Sequence, residues 1–223
     1  MAANCNITPN TKVLVLGIGD GQAVLFLTRE VGAQVVAADV SAEALERLRS
    51  KLQPAEVAQR VRLQRVDYDA LPFAKGEFAA VFVDVMPVMP LQTTVSTLRP
   101  LLAPNGRLCL GYPVRVSRHP SPGAVRFWEQ KLGETLLLPR EVLQILERSG
   151  YEPQIIETLE DAGLDAFYRA VDQACPAEAP GAGMLREEID LYRSQQGRAS
   201  TSFAVMVGRR REPGERPPPA RNE

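Results

Sequence analysis

Residues 12–39 read KVLVLGIGDGQAVLFLTREVGAQVVAAD, and their pattern decides the fold. KVLVL is β-branched and apolar without polar alternation, as a strand buried on both faces of a sheet requires. It stops at Gly17-Ile18-Gly19-Asp20-Gly21. A turn from strand directly into helix needs positive φ or close backbone approach, which glycine supplies at least cost. Residues 22–31 then predict a helix, with Ala23, Phe26, Leu27 and Glu30 at helical spacings. QVVAA, residues 34–38, is a second buried strand, closed by Asp39. Strand, glycine turn, helix and strand make one parallel unit.

Outward from this unit the alternation continues. Ser41 can cap a helix over 42–52 that keeps Leu45, Leu48 and Leu52 on one face. Residues 61–66, 79–83 and 107–112 read as strands three to five, with a helix over 91–102 before the last of them. Pro139 opens the helix of PREVLQILERSG and Gly150 ends it; Ile155 and Ile156 mark strand six, and 203–207 strand seven. Regular alternation predicts a parallel sheet with helices on both faces. One domain is expected over 12–208, after an extension at 1–11 and with an insertion at 161–199 between the last two strands. The end of the chain, 209–223 (RRREPGERPPPARNE), is charged and proline-rich and predicts a disordered tail.

A formal net charge of −1 gives no global field for nucleic acid or an anionic membrane, so neither partner is expected. No apolar run approaches the ~20 residues of a membrane-spanning helix, and MAANCNITPNTK lacks the pattern of a secretory signal. Cys5, Cys109 and Cys175 lie far apart in the chain, with no CxxC pair, and read as reduced thiols in a cytoplasmic protein.

The glycine turn sits where open α/β sheets bind ligands, at the carboxyl edge. Counted from Gly17, a dinucleotide fingerprint would place its third glycine at Gln22, so the spacing is G-x-G-x-G instead; no P-loop Gly-Lys-Ser/Thr is present. Asp39 ends strand two, where a carboxylate can accept both hydroxyls of a ribose or cap the helix that follows.

Val66 to Val83, VDYDALPFAKGEFAAVFV, resembles the stretch around strands three and four of class I S-adenosylmethionine-dependent methyltransferases of the ubiquinone/menaquinone-biosynthesis type, with Asp67 four positions before Leu71-Pro72-Phe73. LRPLLAPNGRL (98–108) and TLLLPREVLQILERSGYEP (135–153) resemble the family's later turn and helix. The resemblance covers about residues 12–159 and strand seven. It implies a Rossmann-like α/β fold, a seven-stranded, mostly parallel sheet with an antiparallel last strand. It also implies that S-adenosylmethionine is the cofactor. Gly17, Gly19 and Gly21, with Asp20 in the same turn, would admit its methionine and ribose portion, and Asp39 would hold the ribose hydroxyls. Asp67 would accept from the adenine amino group, the Tyr68 backbone N–H would donate to the ring, and Val40 and Leu71 would pack its faces. Asp84 to Met86 would line the methyl-donor end. Two positions depart from the family: Val15 stands where an acidic residue is common, and Ala79 follows Phe78 where aspartate is usual.

Methyl transfer from a sulfonium needs alignment of donor and acceptor, and a base only where the acceptor must lose a proton. Asp84 and His119 are the candidates for that role, against readings as a loop carboxylate and a solvent-facing loop histidine. Arg115 and Arg118 could meet an anionic substrate, and Phe127, Trp128, Tyr168 and Tyr192 suit an apolar or ring-bearing one. After strand five, Gly111-Tyr112-Pro113 offers no oxygen ligand, so no metal is expected. The expected partner is a small-molecule substrate; a homodimer is left open. The competing functions are an inactive binding or assembly module with this fold, and a nicotinamide-dependent oxidoreductase.

Overall fold

The computed structural model describes residues 5, 7–53, 55–84, 89–174 and 182–215. Its centre is one seven-stranded sheet. The strands are β1 (Lys12–Leu16), β2 (Gln34–Asp39), β3 (Val61–Arg65), β4 (Phe78–Val83), β5 (Leu102–Arg115), β6 (Tyr151–Thr158) and β7 (Thr201–Arg210), in the order β3-β2-β1-β4-β5-β7-β6. The pairs among β1 to β5 are parallel, and β7 runs antiparallel to both β5 and β6. This is the Rossmann-like sheet expected from the sequence, with the last strand inserted between its two predecessors.

Two apolar layers enclose the sheet. On one face α1 (Gln22–Arg29) and α2 (Ala42–Lys51) pack Val24, Leu27, Leu45 and Leu48 against Val13, Val15, Val35 and Ala37. On the other, α4 (Leu91–Leu98), α5 (Pro122–Leu132) and α6 (Pro139–Arg148) pack Val95, Trp128 and Val142 against Leu14, Val81, Leu108 and Tyr112. A single turn, α3 (Ala55–Ala58), leads into β3. Between β6 and β7 lie α7 (Asp161–Ala174), α8 (Ala182–Arg193) and α9 (Gln195–Ser200), where Leu164, Tyr168, Ile189 and Tyr192 form a third, smaller apolar cluster.

Several expectations need correction. The buried face of α1 is Val24, Leu25, Leu27 and Thr28, whereas Phe26 is 51% exposed. The helix after β4 gives way at Arg99 to a 3-10 turn, Arg99–Leu101. β5 starts at Leu102, bulges around Pro104-Asn105-Gly106, and resumes against β4 at Arg107. An added Cβ at Gly106 would stand 2.8 Å from the Ala103 carbonyl oxygen, which explains a glycine there. β7 runs past residue 208, so the chain is not a free tail from Arg209. Arg209 Nε donates to Glu152 at 2.7 Å and its Nη1 to Asn105, and Arg211 is 9% exposed. Charged residues can extend a strand when acids lie opposite them; residues 216–223 are outside the described residues.

Cys5 and Cys109, 104 positions apart in sequence, are both buried and free and belong to one apolar cluster. Cys175 lies outside the described residues.

Candidate active site

The site is built at the carboxyl edge of the parallel strands. There the ladder runs one residue beyond each strand: Gly17 N–H donates to Ala38 O, Val66 N–H to Asp39 O, and Asp84 N–H to Leu16 O. Four chain turns are thereby brought side by side, carrying Gly17 to Gly21, Asp39 and Val40, Asp67 and Tyr68, and Asp84.

Gly17, Gly19 and Gly21 have φ of 68°, 49° and 87°, all in the left-handed region that disfavours a side chain. At Gly21 space is also short, since an added Cβ would meet Leu48 Cδ1 at 2.8 Å. Asp20 Oδ1 accepts from the Gln22 N–H at 3.0 Å, and Lys51 Nζ donates to the Asp20 carbonyl at 2.7 Å. The turn is thus fixed at both ends.

Asp39 is 8% exposed. Its Oδ2 accepts from the Ile18 N–H at 2.8 Å and its Oδ1 from the Ser41 N–H at 2.8 Å. The helix cap is a separate group: Ser41 Oγ accepts from the Ala44 N–H at 3.1 Å. Asp39 therefore ties β2 to the glycine turn, and each oxygen keeps acceptor capacity for a further donor.

Beside it lies an open cleft of about 530 Å³ lined by Val40, Arg65, Val66, Asp67, Ala70 and Pro72. Val40 is 45% exposed there, as an apolar wall. Asp67 Oδ1 accepts from the Asp69 N–H at 3.0 Å, and the Tyr68 N–H has no acceptor among the described residues. Burial, with the Asp39 charge, pushes the Tyr68 phenol up to about 12. Leu71 departs from expectation: it packs against the core, and Ala70 and Pro72 line the cleft instead. Arg65, whose Nε donates to Val40 O at 3.1 Å, was not singled out in the sequence. Its two-residue spacing from Asp67 was the only signal.

Asp84 follows β4. The protein atoms crowded around its carboxyl, and then the Asp20 charge, raise its pKa to about 6, although the residue remains exposed on its outer side. Val85 and Met86 lie outside the described residues. No hydrogen bond joins His119 to Asp84 among the described residues. The histidine stands exposed in the loop after β5, and its backbone N–H donates to Ser117 Oγ at 3.1 Å. Leu110 pairs with Val83, the last residue of β4, so the end of β5 lies roughly 16 Å further along at ~3.3 Å per residue.

Glu134, which the sequence did not disclose, joins two elements. Its Oε1 accepts from the Leu91 N–H at 2.6 Å and from the Tyr112 hydroxyl at 2.7 Å, placing a carboxylate at the start of α4. No group of three or more metal-binding side chains occurs among the described residues. No helix among them is long and apolar enough to cross a membrane.

Residues 13–106, from β1 into β5, match the family described as methyltransferase domain. An uncharacterized methyltransferase of Synechocystis is 35% identical over 111 residues, 48% of this chain and 49% of the relative. Methyltransferase GfsG of Streptomyces halstedii is 31% identical over 107 residues, 47% of this chain and 38% of the relative. The chain thus spans half the length, or less, of these curated relatives. A solved methyltransferase of Geobacter sulfurreducens, in complex with S-adenosylhomocysteine, superposes with a TM-score of 0.73 at 20% identity, covering 94% of this chain and 88% of that one. These are methyltransferases at large, and the narrower ubiquinone/menaquinone likeness stays one of motifs. The sheet order and the glycine turn agree with these matches: the fold is that of the solved methyltransferases, and residues 13–106 are similar to a methyltransferase domain.

Proposed function

We propose that this chain binds S-adenosylmethionine across the glycine turn and transfers its methyl group to a small-molecule acceptor. The observation that carries this reading is Asp39, whose two oxygens are oriented by separate backbone N–H groups and retain the capacity to accept two hydroxyls. The surroundings fit the rest of the cofactor. Val40 offers a face for a flat base, Asp67 has a carboxylate oxygen to spare, and the Tyr68 N–H is unpartnered among the described residues. Val15 is fully buried in the sheet and has no part in this. Asp20 and Asp84, near enough for one charge to raise the pKa of the other, take the place of the acid usual there and suit a cationic ligand group.

S-adenosylmethionine, when bound, supplies an already activated methyl, so the chain's task is mainly alignment. Asp84 is the group at the end of β4 that can orient an acceptor or take a proton from it, and its pKa near 6 suits that exchange near neutral pH. His119, exposed in the loop after β5, is the weaker candidate. Balanced charge and free cysteines support a cytoplasmic protein without a nucleic-acid partner.

Calorimetric titration with S-adenosylhomocysteine tests the assignment. Micromolar binding is expected, weakened by about tenfold or more in Asp39→Ala, as loss of hydrogen bonds to a charged group implies. NAD(H) should give no heat. Silence with S-adenosylhomocysteine would overturn the enzyme reading and favour an inactive module of this fold.

A further inference from the structure

Arg115 is the last residue of β5, and its backbone is held from both sides. Its N–H donates to Leu137 O at 2.8 Å, and Thr201 of β7 lies opposite. The side chain is partly buried, and its Nε is enclosed by protein without a hydrogen-bond partner among the described residues. Two acids of α7 and α8, helices of the α7–α9 lid between β6 and β7, are already engaged. Glu188 accepts from Lys131 and from the Tyr168 hydroxyl, and Asp165 accepts from Arg198 and the Tyr192 hydroxyl. An enclosed guanidinium nitrogen without an acceptor is costly to the fold and calls for an explanation. Arg210 and Arg211 also hold an enclosed, unpartnered nitrogen, but they sit at the opposite edge of the sheet, beside Tyr151 and Gly150. Arg115 alone of the three is at the edge that carries the glycine turn.

The same corner is apolar. Val116, the next residue, is 44% exposed and donates its N–H to Ser200 O. Leu159, 38% exposed, donates its N–H to the carbonyl of Phe203, which lies two residues beyond Thr201. Phe203 meets Trp128 edge-on at 5.4 Å and Phe167 at 6.3 Å, and Phe167 is 49% exposed. A fixed cation bordered by exposed apolar side chains suits a molecule with an anionic group and a hydrocarbon body.

We propose that Arg115 binds the anionic group, phosphate or carboxylate, of an elongated and partly apolar acceptor. This rests on the methyltransferase reading above for the acceptor's role, though not for the anion site itself. Length follows from the register. Arg115 lies about 16 Å along β5 from the level of Val83, so the anion and the methylated atom sit at opposite ends of the acceptor.

The guanidinium Nε–H resonance of Arg115, assigned by its disappearance in Arg115→Lys, is followed by NMR during titration with inorganic pyrophosphate and, separately, hexanoate. Saturable movement of that resonance by one probe is expected, and the probe that acts identifies the phosphate or the carboxylate class. Affinity for that probe, read by calorimetry because the variants lack the resonance, should fall about tenfold or more in Arg115→Met, which keeps the apolar stem. Arg115→Lys, retaining charge without the fork, should fall between. Thermal melts of both variants exclude unfolding as the cause. A resonance that neither anion moves, or an equal loss from Arg118→Met, would overturn the site. S-adenosylhomocysteine binding without an anion response would sink this inference alone. An anion response without S-adenosylhomocysteine binding would leave the site and overturn its assignment to a methyl acceptor.

Discussion

Asp39 reaches its place through the backbone of two different turns. Ile18 lends one N–H and Ser41 the other, so the carboxylate is oriented before it meets a ligand. Such preorganisation is what makes a single carboxylate effective in binding. Asp84 has the opposite character, being destabilised in its charged form. Its folded pKa of about 6 exceeds the ordinary 3.8, so the native state holds this proton to higher pH than the unfolded chain. Stability from this group is therefore present below the unfolded value and is lost as pH rises through 3.8 to about 6. Asp84→Asn should flatten that slope in urea unfolding measured across the window, by a small amount because the exposed side is screened by water. Burial is the larger cause, so Asp20→Asn should lower the Asp84 midpoint only partway, as carboxyl NMR titration would read. At Gly21, alanine faces both a left-handed φ of 87° and the Leu48 side chain, and Gly21→Ala should cost about 1–3 kcal/mol in urea unfolding.

At the scale of elements, the sequence was legible where one physical rule acted alone. β1 and the start of α1 fall where the apolar run and the glycines place them, and Ser41 caps α2 as its residue type suggests. Ser41→Ala should cost about 1 kcal/mol of stability by denaturant titration. What was not legible depended on partners distant in sequence. The reach of β7 to Arg210 rests partly on Glu152, and the start of α4 on Glu134, 43 residues away. The α5 segment PGAVRFWEQKL gave no helix reading, yet Trp128 and Leu132 bury one side of it against the sheet. The thiol pair was hidden for the same reason. Oxidation of the folded protein with diamide should join Cys5 to Cys109, seen as a two-dalton loss and one cross-linked tryptic peptide. Cys5 and Cys109 both remaining free after that treatment would mean that the two thiols do not lie together.

For the whole molecule, the parallel half and the lid differ in what binds them. The sheet and its two faces form the large apolar clusters, whereas α7 to α9 hold together through few apolar residues and several polar contacts: Tyr168 stacks on Tyr192 at 4.3 Å, Arg198 lies 4.5 Å over the Tyr192 ring, and Glu188 is 4% exposed between Lys131 and Tyr168. Small clusters of this kind open at lower free energy than a domain core. Hydrogen exchange should therefore be faster in α7 to α9 than in β1 and β4; equal protection would show that the lid is part of the core unit. The cluster of Gly17 to Gly21, Asp39, Asp67 and Asp84 at one sheet edge was legible because its residues follow strand ends in sequence order. The surroundings of Arg115 were not, because they depend on how α7 to α9 settle against β7.

β6 has one neighbour in the sheet, and that neighbour is made last. As the chain leaves the ribosome, Tyr151–Thr158 emerges with nothing to pair with, while the open side of β5 awaits the same missing strand. At ~5–20 residues per second, synthesis from Thr158 to Arg210 leaves these two edges uncovered for roughly 3–10 s. Unpaired edges are where nascent chains associate with one another. Pro153 on β6 removes one donor from that exposed edge, and the charged Glu152 and Glu157 flank it. The strand that completes the sheet thus also ends the interval in which a newborn copy could pair with its neighbour on the same message.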